Sequence, residues 1–329
     1  MNRYVPYFGA IFGATILFIL FMRWNSRSVR SNLVSIDNER SFHTQDDTES
    51  MRNLYLKTMI VTLTGYAFKD DPYKRGIGGR KEVDIGGFND KKRRQGKDFP
   101  TVGFTMIGTE GLENIRDLLQ KVFTQKIEGG FLEAGVWRGG ASIFAKAMVE
   151  AYGQTSRHVW VCDSFQGLPK ATQDKDSDTW SKIKLLTISK EIVIHNFEEF
   201  FLLDNQVHFV EGYFVYSLPC LRNEFVNNRQ KLAVLRADGD MYESTMDILY
   251  NLYEFVSIGG FIIIDDYTIP ECQMAVDEFR KKFGILEPIV KITEMKRYWR
   301  VERKIHIDYQ WYKDFVKTRA LDDSKRRCL

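Results

Sequence analysis

Residues 131–140 read FLEAGVWRGG. A short apolar run ends in Glu133, Gly135 and Gly139, the pattern E-x-G-x-x-x-G, and the helical spacing of Ala141 to Tyr152 follows at once. Glycines at a strand-to-helix turn let backbone approach a ligand and adopt dihedrals closed to other residues. Taken alone, the same glycines also fit a tight turn with no ligand.

The segments around it repeat the alternation. GGFLEAGV, HVWVCD, QVHFVEG, KLAVLRAD and GGFIIIDDY are strand-like, while residues 108–123, Ala141 to Tyr152, Ser244 to Phe255 and Met274 to Phe283 have helical spacing. Alternation of this kind predicts an α/β fold with a mainly parallel sheet covered by helices on both faces. ILEPIVKIT and RYWRVERKI are read as an antiparallel pair closing the sheet. No internal repeat is visible.

In such a sheet ligands bind beyond the carboxyl ends of the strands, where Glu133, Asp163, Asp238 and Asp265 all fall. The dinucleotide pattern G-x-G-x-x-G is absent, and Glu133 occupies a place where a pyrophosphate would be repelled. A nucleoside without phosphates fits better, and a nicotinamide oxidoreductase is disfavoured. Asp163, just over twenty residues beyond Gly139, can accept hydrogen bonds from both ribose hydroxyls.

LRADGDMYEST and FIIIDDYTIP bring further carboxylates to the ends of strands read as neighbours. Hard oxygen donors suit Mg2+, and no His/Cys cluster competes for zinc. The other reading keeps Asp265 and Asp266 as caps of a turn and Asp238 in an ion pair. Asp240 stands two positions after Asp238, on the same side of extended backbone. It is read either as a general base or as a residue orienting a metal-bound water.

Tyr4 to Met22 carries no charge and is about long enough to span a hydrocarbon core of roughly 30 Å. Followed by Arg23, Trp24, Arg27 and Arg30, it is read as an uncleaved anchor, giving a single-pass membrane protein with the bilayer as a partner and the side left open. The division along the chain is then 1–30 anchor and basic flank, 31–50 flexible stem, 51–304 catalytic domain and 305–329 tail. Within the domain, 51–125 forms a helical cap and lid loop and 126–304 the core; Asp70 to Pro100 is read as one long loop. The chain has 329 residues and a net charge of +3, so nothing in composition points to nucleic acid. Four cysteines without a CxxC pair argue against a zinc knuckle or a disulfide framework and are read as buried or free thiols.

The long motifs, in order, resemble the macrocin O-methyltransferase (TylF) family. They run from NLYLKTMIVTLTGYAF through FTMIG, FLEAGVWRGGASIF, VWVCDSFQGLP and LAVLRADGDMYESTMD to GGFIIIDDY. The resemblance implies a Rossmann-like class I methyltransferase fold with a helical N-terminal cap, transferring methyl from S-adenosylmethionine to a hydroxyl with Mg2+ bound. It implies Glu133 and Gly135 beside the methionine part of the donor, Asp163 with Ser164 at the ribose, and Thr105 and Met106 closing that pocket. Asp238, Asp265 and Asp266 match the metal acids, and Asp240 the candidate base. A sugar-like, polyhydroxylated or phenolic small molecule or glycan is the expected acceptor, and oligomerisation is left open. The alternative from another class is an anchored S-adenosylmethionine-binding module without turnover, acting as an interaction protein.

Overall fold

A computed structural model describes residues 40–73, 87–322, 324 and 328. The chain divides into two compact units, residues 1–51 and 52–329. Of the first, only the stretch from residue 40 is described, as the beginning of helix α1 (Arg40–Leu63). Sheet and site lie in the second.

Seven strands form one sheet: β1 (Gly130–Ala134), β2 (Val159–Asp163), β3 (Val207–Glu211), β4 (Leu232–Ala237), β5 (Val256–Ile264), β6 (Val290–Lys291) and β7 (Arg297–Arg300), in the order β3-β2-β1-β4-β5-β7-β6. The first five are parallel, β7 runs antiparallel to β5, and β6 antiparallel to β7. The central strands are buried on both faces, which is why they read as unbroken apolar runs. Successive side chains serve opposite layers. On β5, Ile262 and Ile264 join a core with Leu249, Phe279 and Trp299. Phe261 and Ile263 join another with Leu118, Phe144 and Phe197. From β1 the chain steps outward to β2 and β3, then returns to β4 on the other side of β1. That reversal opens a crevice above the ends of β1 and β4.

The remaining helices are α2 (Asp90–Gln95), α3 (Gly108–Thr124), α4 (Gly140–Ala151), α5 (Lys190–Glu199), α6 (Phe214–Asn228), α7 (Tyr242–Leu252), α8 (Pro270–Lys282) and α9 (Tyr309–Lys317). Several differ from the sequence expectations, and α5 and α6 fall outside the expected helical stretches. Helix α1 begins at Arg40, inside the expected flexible stem; its N-terminal half has no apolar stripe, and Leu56, Met59, Ile60 and Leu63 supply the packing. Helix α2 interrupts the expected long loop, because Asn89 accepts a hydrogen bond from Lys92 N, Asp90 sits in the first turn and left-handed Gly96 ends it. The tail contains α9, which buries Tyr312 and Val316 against the sheet layer.

The expected transmembrane helix is corrected here. Among the described residues no helix is long and apolar enough to cross a membrane. Helix α1, at 24 residues, has the length but carries Asp47, Glu49, Arg52 and Lys57, each costly at a bilayer centre. Tyr4 to Met22 lies outside the described residues, and neither the single-pass localisation nor the bilayer partner is carried forward. The cysteine reading is corrected as well: Cys220 on α6 and Cys328 are disulfide-bonded with Cα atoms 5.0 Å apart, while Cys162 and Cys272 are free and buried. Their 108-residue separation hides in sequence a contact made by the returning tail.

Arg93, 1% exposed, fastens α2 to the end of α1. Its guanidinium donates to Thr64 O at 3.0 Å, Asp70 O at 2.7 Å and Asp98 Oδ1 at 2.9 Å. Arg93→Met leaves the buried Asp98 without its counter-charge and is expected to cost about 3 kcal/mol. Urea unfolding checks this; a loss below about 1 kcal/mol, the scale of an exposed pair, would contradict it.

Candidate active site

The crevice holds a cavity of about 340 Å³ lined by the turns after β1, β2, β4 and β5, the segment Gly96 to Ile107 and the β6–β7 turn. Thr105, Met106, Glu133, Gly135, Asp163, Ser164, Asp238, Asp240, Asp265 and Asp266 all line it. Gly139 does not. It caps α4 at φ +84°, where an added Cβ would meet Val193 Cγ1 at 2.7 Å, so its place is in the turn and in packing.

Gly135 is required by close approach. At φ +92°, a Cβ there would fall 1.9 Å from Asp238 O, so the turn after β1 lies directly against the turn after β4. Beside it, Asp163 Oδ2 accepts from Val136 N and Oδ1 from Phe165 N, both at 2.8 Å. Trp137 N and Ser164 Oγ, the latter 3.5 Å from Oδ1, also hydrogen-bond to this carboxyl. Burial pushes this carboxyl up, against the pull of those backbone donors. Ser164 Oγ is used within its turn, donating to Gly167 O at 2.6 Å and accepting from Gln166 N at 3.0 Å. Thr105 and Met106 are held in place because Gly140 N donates to Phe104 O and Arg138 reaches the carbonyls of Thr101 and Gly103.

At the cavity floor stands a residue that sequence reading did not single out. Arg236, 1% exposed, points from β4 toward the layer opposite Leu235 and Ala237 and is in register with Glu133 of β1. Its guanidinium donates to Glu133 Oε1 at 2.6 Å, to Asp238 Oδ2 at 2.9 Å and to Asp265 Oδ1. Ser142 of α4 donates to the other oxygen of Glu133. Lys296, 2% exposed on the β6–β7 turn, is 3.5 Å from Asp265 Oδ2 and was likewise unforeseen. A basic residue inside an apolar strand between two acidic turns is the signal that could have found Arg236.

One carboxylate oxygen from each of Asp238, Asp265 and Asp266 lies within 4.8 Å of the others, a group of hard donors able to hold a cation. The ion-pair reading of Asp238 is also realised, since Arg236 grips both Asp238 and Asp265. Asp266 Oδ2 is buried without a hydrogen-bond partner among the described residues. The electrostatics follow: burial, then the neighbouring acids, push Asp240 and Asp266 well up and Asp238 up. Burial would raise Asp265 too, but Arg236 and Lys296 outweigh it and hold this carboxyl below its ordinary range. Burial likewise takes Glu133 up to about 7 despite Arg236 and Ser142. The same acids, outweighing burial, raise Arg236 further above its ordinary value. Asp240, at φ +53°, takes no hydrogen bond from a described residue.

Residues 75–301 match the Macrocin-O-methyltransferase (TylF) family. The chain is similar to demethyldecarbamoylnovobiocin O-methyltransferase of Streptomyces niveus, 39% identical over 79% of this chain and 98% of the relative. It is also similar to mycinamicin III 3''-O-methyltransferase of Micromonospora griseorubida, 40% identical over 75% of this chain and 96% of the relative. Among solved structures, the O-methyltransferase NovP is 38% identical, with a TM-score of 0.69 covering 77% of this chain and 100% of that one.

Glu133 holds its proton more tightly in the folded state than the ordinary value of 4.5 allows, so stability is lost as pH rises from about 4.5 through about 7. For protein free of metal and donor, stability is expected to fall by about 2–3 kcal/mol between roughly pH 5 and pH 8, and Glu133→Gln to flatten that slope. Urea midpoints across the range decide; a wild-type midpoint rising with pH would contradict it.

Proposed function

The chain belongs to the macrocin O-methyltransferase (TylF) family and is an S-adenosylmethionine-dependent O-methyltransferase, and from that premise we propose that it methylates a hydroxyl of a sugar-like, polyhydroxylated or phenolic acceptor, with a divalent cation of the Mg2+ type held by Asp238, Asp265 and Asp266. The observation that carries the reading is the charge at the cavity floor. Glu133, Asp238, Asp240, Asp265 and Asp266 stand together there, and among the described residues Arg236 and Lys296 are the bases ion-paired within the group. Ionised together, these acids would outnumber those bases, an excess that a sulfonium and a divalent cation would offset. The unpartnered Asp266 Oδ2 and the all-oxygen donor set fit such an ion.

In this reading Asp163 accepts the two ribose hydroxyls of the donor, with Ser164 shaping the turn beneath. Glu133 and Gly135 border the methionine part, Thr105 and Met106 close over it, and Gly139 supports the turn. When bound, the cation would supply Lewis acidity that acidifies the acceptor hydroxyl. The acceptor oxygen attacks the methyl carbon; the C–O bond forms as the C–S bond breaks, S-adenosylhomocysteine leaves, and Asp240 takes the hydroxyl proton. The acceptor class is supported by relatives whose names place the methyl group on a 3'' oxygen of mycinamicin III and on the 4' oxygen of a rhamnosyl tetracenomycin. The apolar walls Trp137, Leu168, Trp180 and Phe214 suit the ring faces of such a molecule.

The test is to incubate the protein with methyl-labelled donor, Mg2+ and a metabolite or glycan extract, and to identify whatever carries the label. An O-methyl ether beside a second oxygen is expected, with label transfer lost on chelation and restored by Mg2+. Asp240→Asn is expected to lower kcat about 10²- to 10⁴-fold while S-adenosylhomocysteine affinity stays unchanged. Transfer that survives chelation undiminished would remove the metal from the proposal; no S-adenosylhomocysteine with any hydroxylated acceptor would remove the acceptor class.

A further inference from the structure

Much of the apolar wall belongs to one segment, residues 167–186, which lacks regular structure apart from two short 3-10 turns, Trp180–Lys182 and Lys184–Leu186. Leu168, Pro169, Trp180, Ile183 and Leu186 of this segment line the cavity. Without a ladder or a long helix, it depends on side chains for its position. Toward its far end, Trp137 of the donor turn donates from Nε1 to Leu185 O at 3.0 Å. Its near half is held by something less expected.

Thr172 donates from N to Glu243 Oε1 at 2.9 Å and from Oγ1 to Glu243 Oε2 at 2.6 Å. Asp176 accepts from Tyr242 N at 2.6 Å and Glu243 N at 2.8 Å, capping the first turn of α7. That turn begins two residues after Asp240, so one helix end carries the acid loop and anchors the wall. Glu243, 1% exposed, would be an uncompensated buried charge but for Arg319, 4% exposed, which lies 2.8 Å from Glu243 Oε2 and donates to Asp247 Oδ1 at 2.7 Å. Arg319 Nε also donates to Thr172 Oγ1 at 3.3 Å, and Gln173 reaches Thr318 Oγ1 at 2.7 Å. Arg319 follows α9, beyond the residues matched to the family.

We infer that Arg319 is a positioning residue for acceptor binding: through Glu243 and Thr172 it holds the wall formed by residues 167–186 over the cavity, so that the C-terminal helix sets the shape of the acceptor side. The inference rests on the reading that donor and acceptor share this cavity. Arg319 touches neither; it acts through Thr172. Helix α9 has its own attachment, since Tyr312 OH donates to Asp247 Oδ1 at 2.8 Å. Thr172→Val therefore removes the hydroxyl that ties the wall to Glu243 and Arg319 while leaving the helix docked, and Thr172→Ser keeps it.

Hydrogen exchange of the full chain, read by mass spectrometry, separates these. In Thr172→Val, peptides covering residues 167–187 are expected to exchange about tenfold faster, the effect of one or two lost net hydrogen bonds, while those of α7 and α9 keep their rates. Thr172→Ser should restore the slow rate, and Arg319→Met should loosen residues 167–187 and α9 together. Calorimetry with S-adenosylhomocysteine should give a Kd within about twofold of wild type in Thr172→Val. On the acceptor found by label transfer, KM should rise about tenfold with kcat nearly kept. Unchanged exchange of residues 167–187 in Thr172→Val, or a Thr172→Ser protein as loose as Thr172→Val, would overturn the inference. Absence of label transfer would instead count against the acceptor class and leave the exchange result standing.

Discussion

The buried guanidinium of Arg236 is the contact around which the site is arranged. It binds acids from the ends of three neighbouring strands, Glu133 of β1, Asp238 after β4 and Asp265 after β5. A charge this deep is costly unless compensated. Here the compensation is mutual: Arg236 needs the acids, and the acids could not be packed so closely without it. Parallel register sets the geometry, since Glu133 and Arg236 are Cα partners and Asp238 and Asp265 directly follow the paired Ala237 and Ile264. Gly135 then lets the turn after β1 lie against Asp238, joining the two halves of the cavity.

The compensation is incomplete in a directed way. Arg236 and Lys296 hold Asp265 in its charged form, whereas Asp238, Asp240 and Asp266 are pushed up. Ionising these three carboxyls is thus costly unless a positive charge joins them. Around that floor the walls are apolar and come from loops, so chemistry sits on rigid strand ends and shape on adaptable segments.

The strands were legible because buried parallel strands must be continuous apolar runs, and the acids because they end those runs. Ten of the expected site residues line the cavity; Gly139 does not, and a glycine needed for a helix cap looks in sequence like one needed for a ligand. Arg236 was overlooked because, Asp238 apart, its partners lie 103 and 29 residues away, in strands whose register no local pattern records. Helix α2 was missed for want of an apolar stripe, although Asn89 and Gly96 signal its ends. Helix α6 contains Pro219, which reads as a breaker. The tail's role was hidden for the reason that hid the Cys220–Cys328 pair: its contacts are made with residues far away in the chain.

The central claim is that the acid cluster beside Arg236 is completed by one divalent cation. The most direct measurement is an electron paramagnetic resonance titration of the purified chain with Mn2+ in the presence of S-adenosylhomocysteine. One ion bound per chain is predicted, with loss of that site in an Asp265→Asn, Asp266→Asn double variant that still binds S-adenosylhomocysteine. Undiminished binding by the double variant, or no binding by the wild-type chain at millimolar Mn2+, about the weak end of biological divalent-ion affinities, would contradict it.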